Sequence, residues 1–391
     1  MPEPAILVIN TGSSSLKFGL YAERDGDEQV VFDGLAEGIG QDSGSLEVKD
    51  ADGKKIRAEK LSFTSRHDAL TRAAGWLNEL SPSKPYAVGH RVVHGGPRLV
   101  QHQRITPAVM NELQGAMHFA PLHIPMAMQL IQESQRAYPD VPQFACFDTA
   151  FHQTMPERAA RFALPRELFD EGIRRYGFHG LSYESIVQRM GSRLPRRTVI
   201  AHLGGGASLV ALRDGKSIDT SMGLTPTGGI PMASRTGDLD PGVLLYLQRA
   251  KHMDADALEK LLNHDAGLTA LSGGTGDMRK LQEAVAAGDR NAELAIEVFC
   301  LSIRKFVAAY AAVLGGLDML IFAGGIGERS AIVRRRVCNG LEFVGVAVDD
   351  GKNEANESTI SQGTSKVPVC IVASQEDRQI ARHCRSMMRG Y

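Results

Sequence analysis

Two stretches far apart in this chain follow one plan, and that repetition limits the folds open to it. Residues 198–219, TVIAHLGGGASLVALRDGKSID, read as a buried strand (198–203), a glycine turn (Gly204, Gly205, Gly206), a returning strand (207–212) and an Asp214-Gly215 turn. Residues 5–21 repeat it: the apolar strand AILVIN, a small polar turn, and a returning strand from Leu16. Glycines without Cβ atoms let backbone N–H groups approach an anion closely. Two copies of strand, turn and strand therefore predict a duplicated α/β fold that holds a phosphate between its halves.

The rest of the chain supports that class. Short alternating segments near 28–38, 45–49 and 54–60, broken by Asp-Gly turns, predict an antiparallel meander. Helical spacing of apolar residues marks 65–80, and helices are expected over 107–118 and 125–138, each opened by proline. Strands are expected at 86–93 and 143–147. The second half holds a helix ending near Leu194, and a glycine- and proline-rich loop over 221–242 that is too long to be a mere connector. Helices at 243–251, 256–263, 278–287 and 291–314 follow, then strands at 318–323 and 367–373 and a helix over 376–389. The expected domains are 1–150 with the terminal segment 377–391, and 151–376.

Charge and composition narrow the function. A formal net charge of −1 leaves no basic footprint for nucleic acid or an anionic membrane. No apolar run reaches the roughly 18 residues of a membrane span, and the start lacks a signal-peptide pattern. Five cysteines without a C-x-x-C pair read as reduced thiols, so a cytoplasmic location is expected.

Several residues are suited to phosphoryl chemistry. In Asn10-Thr-Gly-Ser-Ser-Ser-Leu-Lys17 the hydroxyls and amides suit phosphate oxygens and Lys17 adds a point charge; the alternative is a hairpin with a surface lysine. Arg91, at a strand end, requires an anionic partner, either an internal carboxylate or a ligand. Arg235 sits near Asp238 and Asp240, which would pair with it in a purely structural loop. Asp148 follows a strand's carboxyl end, where open α/β sheets place ligands; it would otherwise be a helix cap. Glu376 opens the last helix and could serve Mg²⁺ or simply favour the helix dipole. His179, between Phe178 and Gly180, is the histidine best placed to meet a transferring phosphoryl group.

Taken together, NTGSSSLK, GHRVVHGG, APLHIP, FDTAFH, YGFHG, HLGGGAS, SRTGDLDPG, SGGTGDMR and AGGIGERS resemble the acetate kinase family over nearly the whole chain. The resemblance implies two ribonuclease-H-like domains with a nucleotide cleft between them, the actin-like ATPase fold. It implies ATP as co-substrate, Mg²⁺ (replaceable by Mn²⁺) as cofactor, acetate or acetyl phosphate as partner and a homodimer. It places Asn10 and Glu376 at the metal, and Ser13, Ser15, Lys17, His202 and Gly204 to Gly206 at the phosphates. Arg91, Asp148, His179 and Arg235 become catalytic, with His179 and Arg235 stabilising the transition state and His123 nearby. Asp277, Met278, Arg279, Gly325, Ile326 and Gly327 match adenosine positions. Val93, Leu122, Phe178 and Pro226 match the pocket for the acetate methyl. The chain departs from the family pattern at Gly205, Thr227-Gly228, Arg329 and Tyr183. Alanine at Arg91 or Arg235 is expected to abolish turnover and spare the fold. The competing readings are a propionate or butyrate kinase, a non-catalytic nucleotide switch, and a sugar kinase with Asp148 as base.

Overall fold

The structure, a computed structural model, describes residues 4–11, 15–81 and 85–390, without the side chains of Thr11 and Arg66. It divides into two compact units. The first comprises Met1–Ala150, Gly180–Ser185 and Gln375–Tyr391; the second comprises Phe151–His179 and Ile186–Ser374.

The first unit is built on eight strands: β1 (Ala5–Thr11), β2 (Ser15–Arg24), β3 (Asp27–Glu37), β4 (Gly44–Asp50), β5 (Lys55–Leu61), β6 (Ala87–Val92), β7 (Gln103–Arg104) and β8 (Gln143–Phe147). Their order is β5-β4-β3-β2-β1-β6-β8-β7. β1 to β5 form the expected antiparallel meander, while β6 and β8 join β1 in parallel. β1 is apolar from Ala5 to Ile9 because both of its faces are covered there. Leu7 and Ile9 meet the Arg66–Leu80 helix side of the core, in a cluster with Leu70, Trp76 and Leu77. Ile6 and Val8 point the other way, onto Leu181 and onto Ile380, Ala381 and Cys384 of the Glu376–Arg389 helix. Arginines anchor that helix to the meander: Arg382 on Asp27, Arg385 on Glu28 and Arg389 on Glu23.

The second unit carries β9 (Arg197–Leu203), β10 (Ala207–Arg213), β11 (Lys216–Thr220), β12 (Met319–Ala323) and β13 (Val369–Ile371), in the order β11-β10-β9-β12-β13. β9, β10 and β11 are antiparallel, and β12 and β13 continue in parallel. The Asp214-Gly215 turn has φ of 53° and 74°, the pair of left-handed residues a two-residue hairpin needs. The two sheets thus share a hairpin followed by parallel strands, as the duplicated sequence plan predicts.

The glycine run after β12 forms the first turn of a helix, Gly324–Arg329. A short helix, Gly267–Ser272, lies between the helices expected over 256–263 and 278–287 and ends on left-handed Gly273. Among the described residues no helix is long and apolar enough to cross a membrane, and all five cysteines are buried and unpaired.

Candidate functional site

In the first unit, strand ends bring Asn10, Arg91 and Asp148 together. Arg91 Nε donates to both Asp148 oxygens at 3.1 Å, and Nη2 donates to Oδ2 at 2.6 Å. Its Nη1 donates to Asn10 Oδ1 at 3.2 Å, and Glu376 lies 3.8 Å from Nε. Asn10 Nδ2 in turn donates to Asp377 Oδ1 at 3.0 Å, and Lys17 Nζ pairs with Asp377 at 2.7 Å. Arg91's anionic partner is therefore an internal carboxylate, and Asp148 is a fork acceptor rather than a helix cap. Burial pushes the Asp148 carboxyl up to about 6, against the pull of Arg91. Burial also weakens the Arg91 charge, but Asp148 and Glu376 outweigh it and hold the guanidinium cationic. Asp148 is 1% exposed, so Arg91→Ala leaves a carboxylate buried and unpaired. That cost stands against the expectation that the replacement spares the fold, and a thermal melt decides between them.

Asp377 is a member of this cluster that the sequence did not single out. Its only signal was its place beside Glu376 at a helix start. Asn10, Asp148 and Glu376 present a set of amide and carboxylate oxygens, the hard donors that Mg²⁺ takes, and they fit such an ion. Ser13 lies outside the described residues, and Ser15 opens β2, half-buried. Val93 and Leu122 are half-buried beyond β6 and ahead of the Ile124–Ala137 helix, whose N-cap position His123 occupies.

One other group of the first unit has metal-ligand composition. His102, Glu184 and His383 hold ligand atoms within 4.8 Å of one another. His102 Nε2 lies 3.3 Å and His383 Nε2 lies 2.6 Å from the Glu184 carboxylate. Burial alone raises the Glu184 carboxyl, but the two histidine hydrogen bonds outweigh it and hold it at about 2. An ionised carboxylate only accepts, so His102 Nε2 carries a hydrogen, while His383 Nε2 also lies 3.1 Å from Gln379 Nε2. The backbone N–H of Phe147 donates to His102 Nδ1 at 3.0 Å, which fixes the same tautomer. The group forms a hydrogen-bonded bridge across the Glu184 carboxylate.

In the second unit the β9–β10 hairpin ends in Gly204, Gly205 and Gly206, with Gly204 N–H donating to Gly206 O at 3.0 Å. His202 of β9 faces Ser208 of β10 in register. The His179 ring stacks on His202 at 4.4 Å, and its Nδ1 lies 2.8 Å from Ser208 Oγ. A Cβ placed on Gly206 would lie 3.2 Å from His179 Nε2 and 3.6 Å from Arg235 Nη1. His179 and Arg235 thus converge on the glycine turn. Arg235 Nη1 donates to Pro226 O at 3.2 Å. Of the nearby aspartates, Asp238 accepts from Gly229 N–H and Asp240 from Gly242 N–H. Phe178 and Pro226 are buried.

Asp277 caps the Met278–Ala286 helix and pairs with exposed Arg279, while Met278 is buried. Gly325, Ile326 and Gly327 form the first turn of the Gly324–Arg329 helix. Gln282 Nε2 donates to Ser330 Oγ at 2.9 Å and links the two segments. Buried Arg334 fixes the glycine turn through Gly327 O, and Arg329 lies over Gly325.

The acetokinase family model matches residues 5–382. The chain belongs to the acetokinase family. It is 43% identical to the acetate kinase of Methylocella silvestris, over 98% of each chain. Among solved structures, Porphyromonas gingivalis acetate kinase is similar with a TM-score of 0.87 and 36% identity, covering 98% of this chain and all of that one. A Francisella tularensis propionate kinase is similar with a TM-score of 0.92 at the same identity and coverage. Both units are thus parts of the acetokinase fold, and the expected α/β class stands.

Proposed function

We propose that this acetokinase-family chain phosphorylates acetate with ATP, reversibly, by direct in-line transfer. The observation that carries this is the convergence of His179 Nε2 and Arg235 Nη1 on the Gly206 turn. A carboxylate is already an anion and needs no general base to attack phosphorus, whereas a sugar hydroxyl does. The barrier lies in bringing two anions together, and fixed cationic donors lower it. Arg91, oriented by Asp148 and Asn10, receives the acceptor carboxylate. Arg235 and His179 donate to the phosphoryl in transit. Ser13, Ser15, Lys17, His202 and Gly204 to Gly206 serve the phosphates, and Asp277 to Arg279 with Gly325 to Gly327 serve the adenosine. Asn10 and Glu376 would hold Mg²⁺, with Asp148 beside them; the ion would neutralise phosphate oxygens. The family resemblance assigns Val93, Leu122, Phe178 and Pro226 to the acyl group.

The likeness to a propionate kinase supports propionate as a second acceptor. An assay that traps the acyl phosphate as a hydroxamate, run with acetate, propionate and butyrate, tests both readings. Hydroxamate from none of the three overturns the function, and ATP hydrolysis without transfer points to the nucleotide switch. A homodimer accords with the Pro241–Lys251 helix, which buries none of its residues while Val243, Leu245 and Tyr246 stand exposed. A cytoplasmic location accords with the chemistry of ATP and with unpaired thiols.

A further inference from the structure

His152 is a fully buried histidine for which the proposed reaction has no role. It lies in the Ala150–Thr154 turn and is 1% exposed. Its Nε2 is 3.1 Å from the carbonyl oxygen of Phe178, which can only accept, so Nε2 carries the hydrogen. Nδ1 of the neutral ring then accepts from Ser217 Oγ at 2.9 Å. Ser217 is itself held, because Thr154 Oγ1 donates to its carbonyl at 2.8 Å. His152 thus ties the turn after residue 149 to β11 and, through its other nitrogen, to the peptide that joins Phe178 to His179.

That peptide is unusual. The residues on both sides of Phe178 are left-handed: Gly177 has φ 77° and His179 has φ 59°. Glycine is required at 177, because an added Cβ would meet the His152 ring at 2.6 Å. His179 is not glycine, and a side-chain-bearing residue holds this conformation only where its surroundings impose it. Hydrogen bonds on both sides of the residue contribute to this. Ser208 fixes the ring at Nδ1, and His152 fixes the backbone one peptide earlier.

We infer that His152 is a positioning residue: its Nε2–H, bonded to Phe178 O, holds the left-handed His179 so that His179 Nε2 faces the Gly206 turn. His152 itself meets no reacting group. This rests on the role proposed for His179 in phosphoryl transfer.

The test is steady-state kinetics by the hydroxamate assay on His152→Ala and His152→Gln, with thermal melts alongside. Loss of positioning at the transition state alone lowers kcat and leaves substrate binding in place. His152→Ala is expected to lose about tenfold or more in kcat, with KM for ATP and acetate within about twofold of wild type. His152→Gln keeps an amide donor within reach of Phe178 O and is expected to recover most of that loss. Wild-type kcat in His152→Ala, or a glutamine variant no better than alanine, overturns the inference. If the alanine variant does not fold, Ser217→Ala decides. It frees the ring at Nδ1 and is expected to lower kcat about threefold in folded protein; an unchanged kcat overturns the inference. Activity absent from the wild type as well would instead count against the proposed reaction.

Discussion

In the β1–β2 hairpin the pair next to the last before the turn is Asn10 with Lys17; in β9–β10 it is His202 with Ser208. The backbones are alike, and each hairpin is continued by two parallel strands. The chemistry differs. Around Asn10, formal charges neutralise one another: Arg91 with Asp148 and Glu376, and Lys17 with Asp377. Around His202 the groups are a glycine turn, two stacked imidazoles, a hydroxyl and an arginine bonded to the Pro226 carbonyl. A charge embedded among its own counter-charges supports the fold as well as the reaction, whereas Arg235 donates to the Pro226 carbonyl with its Nη1 turned toward the glycine turn.

The sharpest way to break this comparison is to remove each arginine. Arg91→Ala and Arg235→Ala should each lower kcat by about two to three orders of magnitude, as loss of a preorganised charged donor does. Thermal melting separates them: Arg91→Ala should melt well below wild type because Asp148 is stranded, and Arg235→Ala should fall less. Equal losses of melting temperature would erase the distinction.

Next comes the acid limb of the first unit. The Glu184 carboxyl is held at about 2, below its ordinary 4.5, so it contributes stability above pH 4.5 that is lost as pH falls toward 2. Denaturant titrations should show Glu184→Gln less stable than wild type at neutral pH, with the gap closing below pH 4.5. A gap that stays constant with pH would remove the bridging role of this carboxylate.

Smaller effects belong to pocket and turn. Val93→Ala should raise the propionate-to-acetate ratio of kcat/KM by about tenfold, the low end of what one methylene contributes. An unchanged ratio would place the acyl group elsewhere. Gly205 has nothing within 4 Å of an added Cβ and no left-handed φ, so Gly205→Asn should fold normally. Its added amide should lower KM for ATP about threefold, the worth of one modest hydrogen bond. A raised KM would show that the bare turn is what the nucleotide needs.

Much of the scaffold was legible because its signals are local. The run Ile6 to Ile9 announces a strand buried on both faces, and Asp214-Gly215 announces its hairpin. What escaped depends on distance along the chain. Arg91 plainly required an anion, but its partner lies 57 residues on, so an internal acid and a ligand looked alike. Glu184 and His383 are 199 residues apart, and no spacing rule joins them. Asp377 was masked by Glu376, since two acids opening a helix satisfy the dipole whichever one the site uses. The inclusion of Gly180–Ser185 in the first unit reflects Leu181 packing against Ile6 and Val8, a fact of tertiary contact alone.

The Glu376–Arg389 helix packs, together with Leu181, on one face of β1, β6 and β8. During synthesis Ile6, Val8 and Phe144 therefore wait for that helix until more than two hundred intervening residues have been translated. The second unit, contiguous apart from one short excursion, is free to fold in the meantime. The cover of its earliest strands is thus the last part of the first unit to be synthesised.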